Sequence, residues 1–359
     1  VTAQTYPHWQ MCIADGSGDT AETKRIVDSY LSDKRIKYKI LAENLGIADN
    51  TNAAMELADG DYIALFDHDD LLSENALYEV ADRICKTGAE IVYTDEDKVT
   101  SDLSERYQPN FKPDFNLDLL RSNNYICHFL VVRRSVVEKA GGFRREFDGA
   151  QDHEFLFRCV EKAKGIEHIP KVLYHWRCHE ASTASNPQSK RYAYEAGQRA
   201  LEDYCLRKGW KATVSGLKHL GFYREDYEDS VFCQRPEIGI WAKPLPGGRD
   251  VFGIRHPKGF LVSGLYENDG SMRYAGLRKG YSGPMHRAAL QQSAPAADLR
   301  SMEVCSALKE RYAQTIAELI EACQGLPTAA QETKILQKSM EFCKEATAAG
   351  YGILWDPQA

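Results

Sequence analysis

The chain has 359 residues, 43% of them apolar and 27% charged, with a net charge of −7. That length suits two domains, or one large domain with an appendage, in a globular chain of ordinary composition. The acidic balance argues against a general nucleic-acid binder, which carries a basic face, and no run of about eighteen apolar residues exists to span a membrane. Residues 1–9 hold neither a charged n-region nor an apolar h-region, so they do not read as a signal peptide. The ten cysteines form no Cys-x-x-Cys pair. Cys85, Cys159, Cys323 and Cys343 sit in apolar or helical surroundings, where a free thiol packs as a small hydrophobe. The expectation is a reduced cytoplasmic compartment and no zinc site.

Gln4-Thr5-Tyr6-Pro7-His8-Trp9 reads as the end of a helix and its turn, followed by a strand over residues 10–14. Ala14-Asp15-Gly16-Ser17-Gly18-Asp19 closes that strand. Small residues let backbone approach a ligand, and Asp15 could hold a base or ribose. A plain strand-to-helix turn, with Asp19 capping a helix over residues 21–32, fits the spacing equally. A short strand at 38–41 precedes a helix over 50–58 that ends at Gly60. On that helix Asn52 is either a ligand-facing amide or a polar residue on the solvated side.

Residues 62–66 form an unbroken apolar run after a Gly-Asp turn, which predicts a strand buried on both faces. Asp67-His68-Asp69-Asp70 follows at its carboxyl edge, where open α/β sheets bind ligands. Three clustered carboxylates repel one another unless a cation sits among them. An Asp-x-Asp offers hard oxygen ligands to Mg2+ or Mn2+. The plainer alternative is a polar loop capping the next helix, with Ser73 as N-cap, Glu74 in the first turn and a stop at Gly88.

A strand at 90–93 ends in Thr94-Asp95-Glu96-Asp97-Lys98. This second acidic cluster suggests the rim of a site, or a solvated turn with a local Lys98 ion pair. Residues 108–124 are rich in Pro, Asn and Asp and predict a loop. A strand at 125–133 and a helix at 135–140, stopped by Gly141, come next. Asp152 opens a helix reaching about residue 163. A first-turn carboxylate is favoured there by the helix dipole in any case, and it is also the candidate proton acceptor, with Glu154 as the second choice. In the strand at 172–177, His175 and Arg177 flank Trp176 and could close over a diphosphate, or pack as an aromatic strand with a satisfied histidine. His179, Ser182 and Thr183 follow, then a helix over 192–208. The expected domains are residues 1–228 and 229–359.

Taken in order, Asn44-Leu45-Gly46-Ile47-Ala48-Asp49-Asn50-Thr51-Asn52-Ala53-Ala54, Ala58-Asp59-Gly60-Asp61-Tyr62-Ile63 and Asp67-His68-Asp69-Asp70 resemble the donor half of family 2 glycosyltransferases. The resemblance is to the bacterial branch that builds O-antigen, rhamnan and related surface polysaccharides, of which Thr94-Asp95-Glu96-Asp97-Lys98 is typical. It implies an α/β fold of GT-A type, a Rossmann-like nucleotide-diphospho-sugar transferase sandwich, with a smaller α+β C-terminal region. It implies a nucleobase contact at Asp15, donor contacts at Asn52 and Asp67, and an anion clamp at Arg177. Mn2+ or Mg2+ would be held by Asp69 with Asp67 and His175, and Asp152 would be the general base of a single inverting displacement. The implied partners are a UDP- or dTDP-sugar donor and a saccharide or lipid-linked saccharide acceptor. Peripheral membrane contact at the inner face of the plasma membrane needs no hydrophobic span.

In the family the Gln4-Thr5-Tyr6-Pro7 turn follows an opening strand and helix that this sequence does not carry. The alternative expectation is therefore a catalytically incomplete sugar- or nucleotide-binding or assembly module. A metal-dependent phosphohydrolase fits less well, because no Thr stands two residues after the second Asp of the cluster. Residues 264–277 and 349–357 resemble the post-catalytic half of a second glycosyltransferase domain, with helices at 302–323 and 329–348 between them. Glu341 is the acid nearest the base position there. No Asp-x-Asp accompanies it, which implies a packing or acceptor-binding role.

Overall fold

The computed structural model describes residues 1–18, 21–178, 191–217, 220–236, 238–242, 250–256, 259–266, 272–273, 302–322, 338, 341–343, 345–346 and 348–355. The chain forms two compact units. The first comprises Val1–Phe111, Asn124–Gly209 and Val214–Arg224, and the second Lys112–Asn123, Trp210–Thr213 and Glu225–Ala359.

The first unit is an α/β structure. Its elements in chain order are β1 (Met11–Asp15), α1 (Ala21–Asp28), β2 (Ile36–Ile40), α2 (Ile47–Met55), β3 (Tyr62–Ala64), β4 (Leu71–Leu72), α3 (Ala76–Thr87), β5 (Ile91–Thr100) and β6 (Arg106–Asn110). After α4 (Leu117–Ser122), which belongs to the second unit, come β7 (Leu130–Arg133), α5 (Arg134–Ala140), α6 (Gln151–Lys162), β8 (Ile166–Cys178) and α7 (Arg191–Lys208). β1 and β2 pair in parallel as a sheet of their own. The main sheet runs β3-β7-β5-β8-β4, with β6 added against β5.

Strand β5 is the spine of this sheet. It pairs with β8 in parallel, and with β7 and then β6 antiparallel. With neighbours along both edges, Ile91, Val92 and Tyr93 are fully buried. Val92, Phe129, Val131 and Tyr174 join Ala76 and Val80 of α3 in one apolar core. That burial is the main stabilising term, about 25 cal/mol for each Å² of apolar surface removed from water. Helix α3 ends where Gly88 turns left-handed at φ 69, a conformation free of Cβ strain only for glycine.

Four local expectations are corrected. β3 stops at Ala64, which is exposed, and pairs with β7 alone, so it is an edge strand and not one buried on both faces. β5 does not end at Tyr93 but continues to Thr100, which puts the second acidic cluster inside the sheet. Ser73 is not the cap of α3; Asn75 holds that position, and the Ser73 hydroxyl turns to His175 at 2.9 Å. The stretch expected as loop contains α4, whose first turn is satisfied when the Asn116 side chain accepts the Leu119 N–H at 3.0 Å.

The second unit begins earlier than residue 229 because α4 is tied into it by charge. Asp118 pairs with Arg121 at 2.9 Å and with Arg235, and Arg121 Nε donates to Glu225 at 2.9 Å. Its six-stranded sheet has the order Met272–Arg273, Gly259–Tyr266, Asp250–His256, Gly352–Trp355, Ile238–Ala242, Met302–Val304. The helix expected from residue 302 is thus a strand followed by helices at Ser306–Arg311 and Ala313–Ala322. Leu308, Phe342 and Ala346 are fully buried together, while Glu341 is exposed. Asp19, His179, Ser182, Thr183, residues 274–277 and most of 329–348 lie outside the described residues. Among the described residues, no helix is long and apolar enough to cross a membrane.

Candidate active site

The site begins where β3 leaves the sheet. Asp67 and His68 are exposed, Asp69 is half-buried and Asp70 is buried. The register of β4 on β8 sets Leu71 opposite His175, which brings Asp70 against the backbone of β8. One oxygen of Asp70 accepts the Arg177 N–H at 2.8 Å, and the other accepts the Tyr174 hydroxyl. The turn closes as the Asp70 N–H donates to the Asp67 carbonyl at 3.3 Å.

His128 arrives from the segment before β7. Its φ of 64 is in the left-handed region, uncommon for a residue with a side chain. Its ring stacks on Tyr174 at 4.8 Å and 9°, and meets Trp176 at 5.6 Å. One ligand atom each from Asp67, Asp70 and His128 lie within 4.8 Å of one another. Two carboxylates and an imidazole at that spacing could hold one divalent ion of the Mn2+ or Mg2+ kind.

The electrostatics of the cluster are unsettled in a specific way. Although Asp67 meets solvent at its surface, loss of water around its carboxyl raises its pKa above the usual range. The charges of Asp152 and Asp69 push it further, against a downward pull from His128. Burial also raises Asp70, more than its bonds from Tyr174 and Arg177 lower it. Desolvation is the first cause of both shifts, and neighbouring carboxylates add to it.

Asp152 stands in the first turn of α6 and accepts the Asn124 amide at 2.8 Å. Cys127 is hydrogen-bonded to Asp152, and its sulfur lies 3.3 Å from His128 Nε2. Burial, then the charges of Asp152 and Glu96, push the Cys127 thiol well above its ordinary pKa, so it stays protonated as a donor. Residues from 67–70, 124–128 and 152 therefore meet in one place.

The other expected residues are placed differently. Asp15 is buried, with its carboxylate accepting the Ser17 N–H at 3.0 Å, the Ser17 hydroxyl at 2.6 Å and the Tyr38 hydroxyl at 2.6 Å. Burial raises its pKa, but these bonds outweigh that and leave it lowered. The Tyr38 hydroxyl, bonded to that carboxylate, is pushed up to about 12. Asp15 thus shapes its own turn.

Asn52, expected as a donor contact, clamps Phe143 with both ends of its amide. Nδ2 donates to the Phe143 carbonyl at 2.9 Å, and Oδ1 accepts the Phe143 N–H at 2.7 Å. A Cβ on Gly142 would lie 2.5 Å from that oxygen, so the close approach requires glycine.

His175 is not offered to a metal. Nδ1 is 2.6 Å from Asp97 and Nε2 is 2.9 Å from the Ser73 hydroxyl, which occupies both ring nitrogens. Arg177 turns its guanidinium to the Ser101 carbonyl, with Nε at 2.8 Å, and it is the Arg177 backbone that reaches the cluster. Asp69 adds charge beside Asp67, while the gathered set of ligand atoms comes from Asp67, Asp70 and His128. Glu154 is fully buried and held by Arg158 at 2.6 and 2.7 Å, which removes it as a base.

His128, Tyr174, Asn124 and Cys127 were not visible as site residues in the sequence. The only signal for His128 is one histidine inside the otherwise apolar run Tyr125-Ile126-Cys127-His128-Phe129-Leu130. A buried core histidine gives the same pattern.

Residues 1–141 match the model of Glycosyl transferase family 2. That stretch carries Asp67, Asp70 and His128; Asp152 and Tyr174 lie beyond it. An uncharacterized protein of Sinorhizobium fredii, y4gI, is 42% identical over 216 residues, covering 59% of this chain and 24% of that protein. The O-antigen biosynthesis protein RfbC of Myxococcus xanthus is 36% identical over 217 residues, covering 60% of this chain and 17% of that protein. The chain thus spans a quarter or less of the length of these relatives. The structure of S. aureus TarS 1-349 in complex with UDP-GlcNAc is similar at a TM-score of 0.47 and 20% identity, over 57% of this chain and 60% of that one. Residues 1–141, within the α/β first unit, are thus similar to glycosyl transferase family 2.

Proposed function

We propose that the chain transfers a sugar from a nucleoside-diphosphate donor, UDP- or dTDP-linked, to a hydroxyl of a growing surface polysaccharide, free or lipid-linked. The observation that supports this reading is the meeting of Asp67, Asp70, His128 and Asp152 from three separate stretches, the first two within the residues that match the family 2 model. The role in polysaccharide assembly rests on the relatives' names, RfbC among them.

In this reading Asp152 accepts the proton of the acceptor hydroxyl as that oxygen attacks the anomeric carbon from the face opposite the diphosphate. The sugar inverts, and no nucleophilic residue is needed. The Asn124 amide and the Cys127 thiol hold the Asp152 carboxylate in one orientation, which lowers the entropy cost of the aligned arrangement. Asp67, Asp70 and His128 would hold Mn2+ or Mg2+. When bound, such an ion supplies positive charge against the leaving diphosphate.

The test is calorimetric titration with UDP and with dTDP, each with and without Mn2+, alongside radiolabelled sugar transfer. Metal-dependent binding of one nucleotide is expected, abolished by Asp67→Ala and weakened at least about tenfold by His128→Ala. His175→Gln is expected to leave it within about twofold. If neither nucleotide binds under any condition, the chain is a non-catalytic assembly module and the mechanism above fails.

A further inference from the structure

We infer that Tyr174 is the positioning residue that assembles the cation-binding set, an inference that rests on the metal reading of the site given above. Asp67 and Asp70 come from the β3–β4 connection and His128 from the segment before β7. The backbone joins these two segments at the Leu65 N–H, which donates to the Leu130 carbonyl at 3.0 Å; two residues further on, at the cluster, the Tyr174 side chain of β8 touches both. The Tyr174 hydroxyl donates to Asp70, and the Asp67 N–H points at the same oxygen from 3.5 Å. Its ring carries the imidazole of His128 in a near-parallel stack, 4.8 Å between centroids and 9° between planes.

Tyr174 is itself immobilised. It is fully buried, with Phe66 edge-on at 6.0 Å and Phe129 at 6.0 Å. The next residue in β8 locks the strand from its other side. His175 bridges Asp97 of β5 and Ser73 ahead of α3, consistent with successive strand side chains leaving opposite faces. The phenol is therefore a fixed post, and its hydroxyl and ring face set where Asp70 and His128 present their ligand atoms. Partners that orient metal ligands in this way typically change affinity 10–100-fold when removed.

The experiment is titration of MnCl2 alone into the full chain, into Tyr174→Phe, into Asp70→Ala and into the double variant. Tyr62→Phe serves as control, since it too removes a hydroxyl that donates to a fixed acceptor, the Ala89 carbonyl at 2.8 Å. Tyr174→Phe keeps the ring and its stacking, so its circular dichroism and unfolding midpoint should stay near wild type. Mn2+ affinity is expected to fall about tenfold or more in Tyr174→Phe, and to change less than about twofold in Tyr62→Phe. In the Asp70→Ala background, adding Tyr174→Phe should change affinity by less than about twofold, because the pair acts as one unit.

Wild-type affinity in Tyr174→Phe overturns the inference while leaving the metal site standing. An equal loss in both backgrounds also overturns it, since Tyr174 would then act without Asp70. Failure of the wild-type chain to bind Mn2+ removes the metal reading and this inference together. A measurement without any variant checks the same bond: Mn2+ should perturb the tyrosine ultraviolet spectrum of the wild-type chain in proportion to occupancy, and a silent spectrum counts against it.

Discussion

The two acidic clusters of the first unit look alike in sequence and do opposite things in the structure. Asp95, Glu96 and Asp97 lie within β5, and each has found a partner across the sheet. Asp95 meets His168 at 2.9 Å, Glu96 accepts the Asn110 amide at 3.2 Å, and Asp97 meets His175 at 2.6 Å. The β5–β8 register delivers the two histidines, setting Tyr93 opposite His168 and Asp97 opposite His175, and the β5–β6 register sets Glu96 opposite Asn110. At Asp67–Asp70 the strand has ended, and β8 reaches Asp70 through the Tyr174 hydroxyl and the Arg177 N–H. Burial raises both Asp67 and Asp70 there, with His128 within reach of each and Asp69 and Asp152 adding negative charge beside Asp67. What separates a structural acid from a site acid is the balance of charge and partners around it, and a strand end upsets that balance.

The sharpest way to break this contrast is Asp152→Asn, which keeps the shape of the Asp152 side chain and removes its basicity. We expect transfer to fall about 10²–10⁴-fold, measured in single turnover, with an unchanged unfolding midpoint. Activity within tenfold of wild type would remove Asp152 from the mechanism.

Asp118 in the second unit carries the paired extreme. Desolvation pushes its carboxyl up, but Arg235 and Arg121 outweigh that and hold its pKa below the usual carboxylate value. A depressed folded-state pKa means the stabilisation is complete above the unfolded value, near 3.9, and is lost as pH falls through the folded one. Asp118→Ala leaves two buried guanidinium groups short of a partner and should cost about 3–5 kcal/mol. Urea unfolding of this variant reads the loss, and a cost below about 1 kcal/mol would show that the network relaxes freely.

Asp95→Asn tests the β5 cluster more gently. Its carboxylate and His168 are both buried, so the expected cost is about 1–3 kcal/mol of stability, with nucleotide and Mn2+ titrations unchanged. The reverse pattern, lost binding at full stability, would move this cluster into the site.

Legibility followed the range of the interactions. Helices α3, α5, α6 and α7 were readable because apolar periodicity and a Gly stop are local facts. The places of Asp67 after a strand and of Asp152 in the first turn of a helix were readable because charge at an element's end is also local. What the sequence could not show was pairing across the sheet. Whether β5 stopped at Tyr93 or ran on to Thr100 depended on β6 and β8 being there to accept it. Only the fold shows that both nitrogens of His175 are occupied while His128 lies beside Asp67 and Asp70. The same local evidence suited Ser73 as a cap, and only the fold put His175 within reach of its hydroxyl.

Asn52 supplies the smallest and cleanest version of the contrast. Its position in α2 suited a donor contact, yet its amide makes two complementary bonds to one backbone, at Phe143. Two complementary bonds to one residue fix the orientation of the amide, and a Cβ on Gly142 would lie 2.5 Å from its oxygen. Asn52→Ala should therefore cost about 1 kcal/mol, seen as a fall of roughly 2–4 °C in the unfolding midpoint, with nucleotide affinity unchanged. Asn52→Asp should cost at least as much, since a carboxylate oxygen would face the Phe143 carbonyl where the amide N–H now donates. Weakened nucleotide binding at an unchanged midpoint would reverse the assignment and return Asn52 to the donor site.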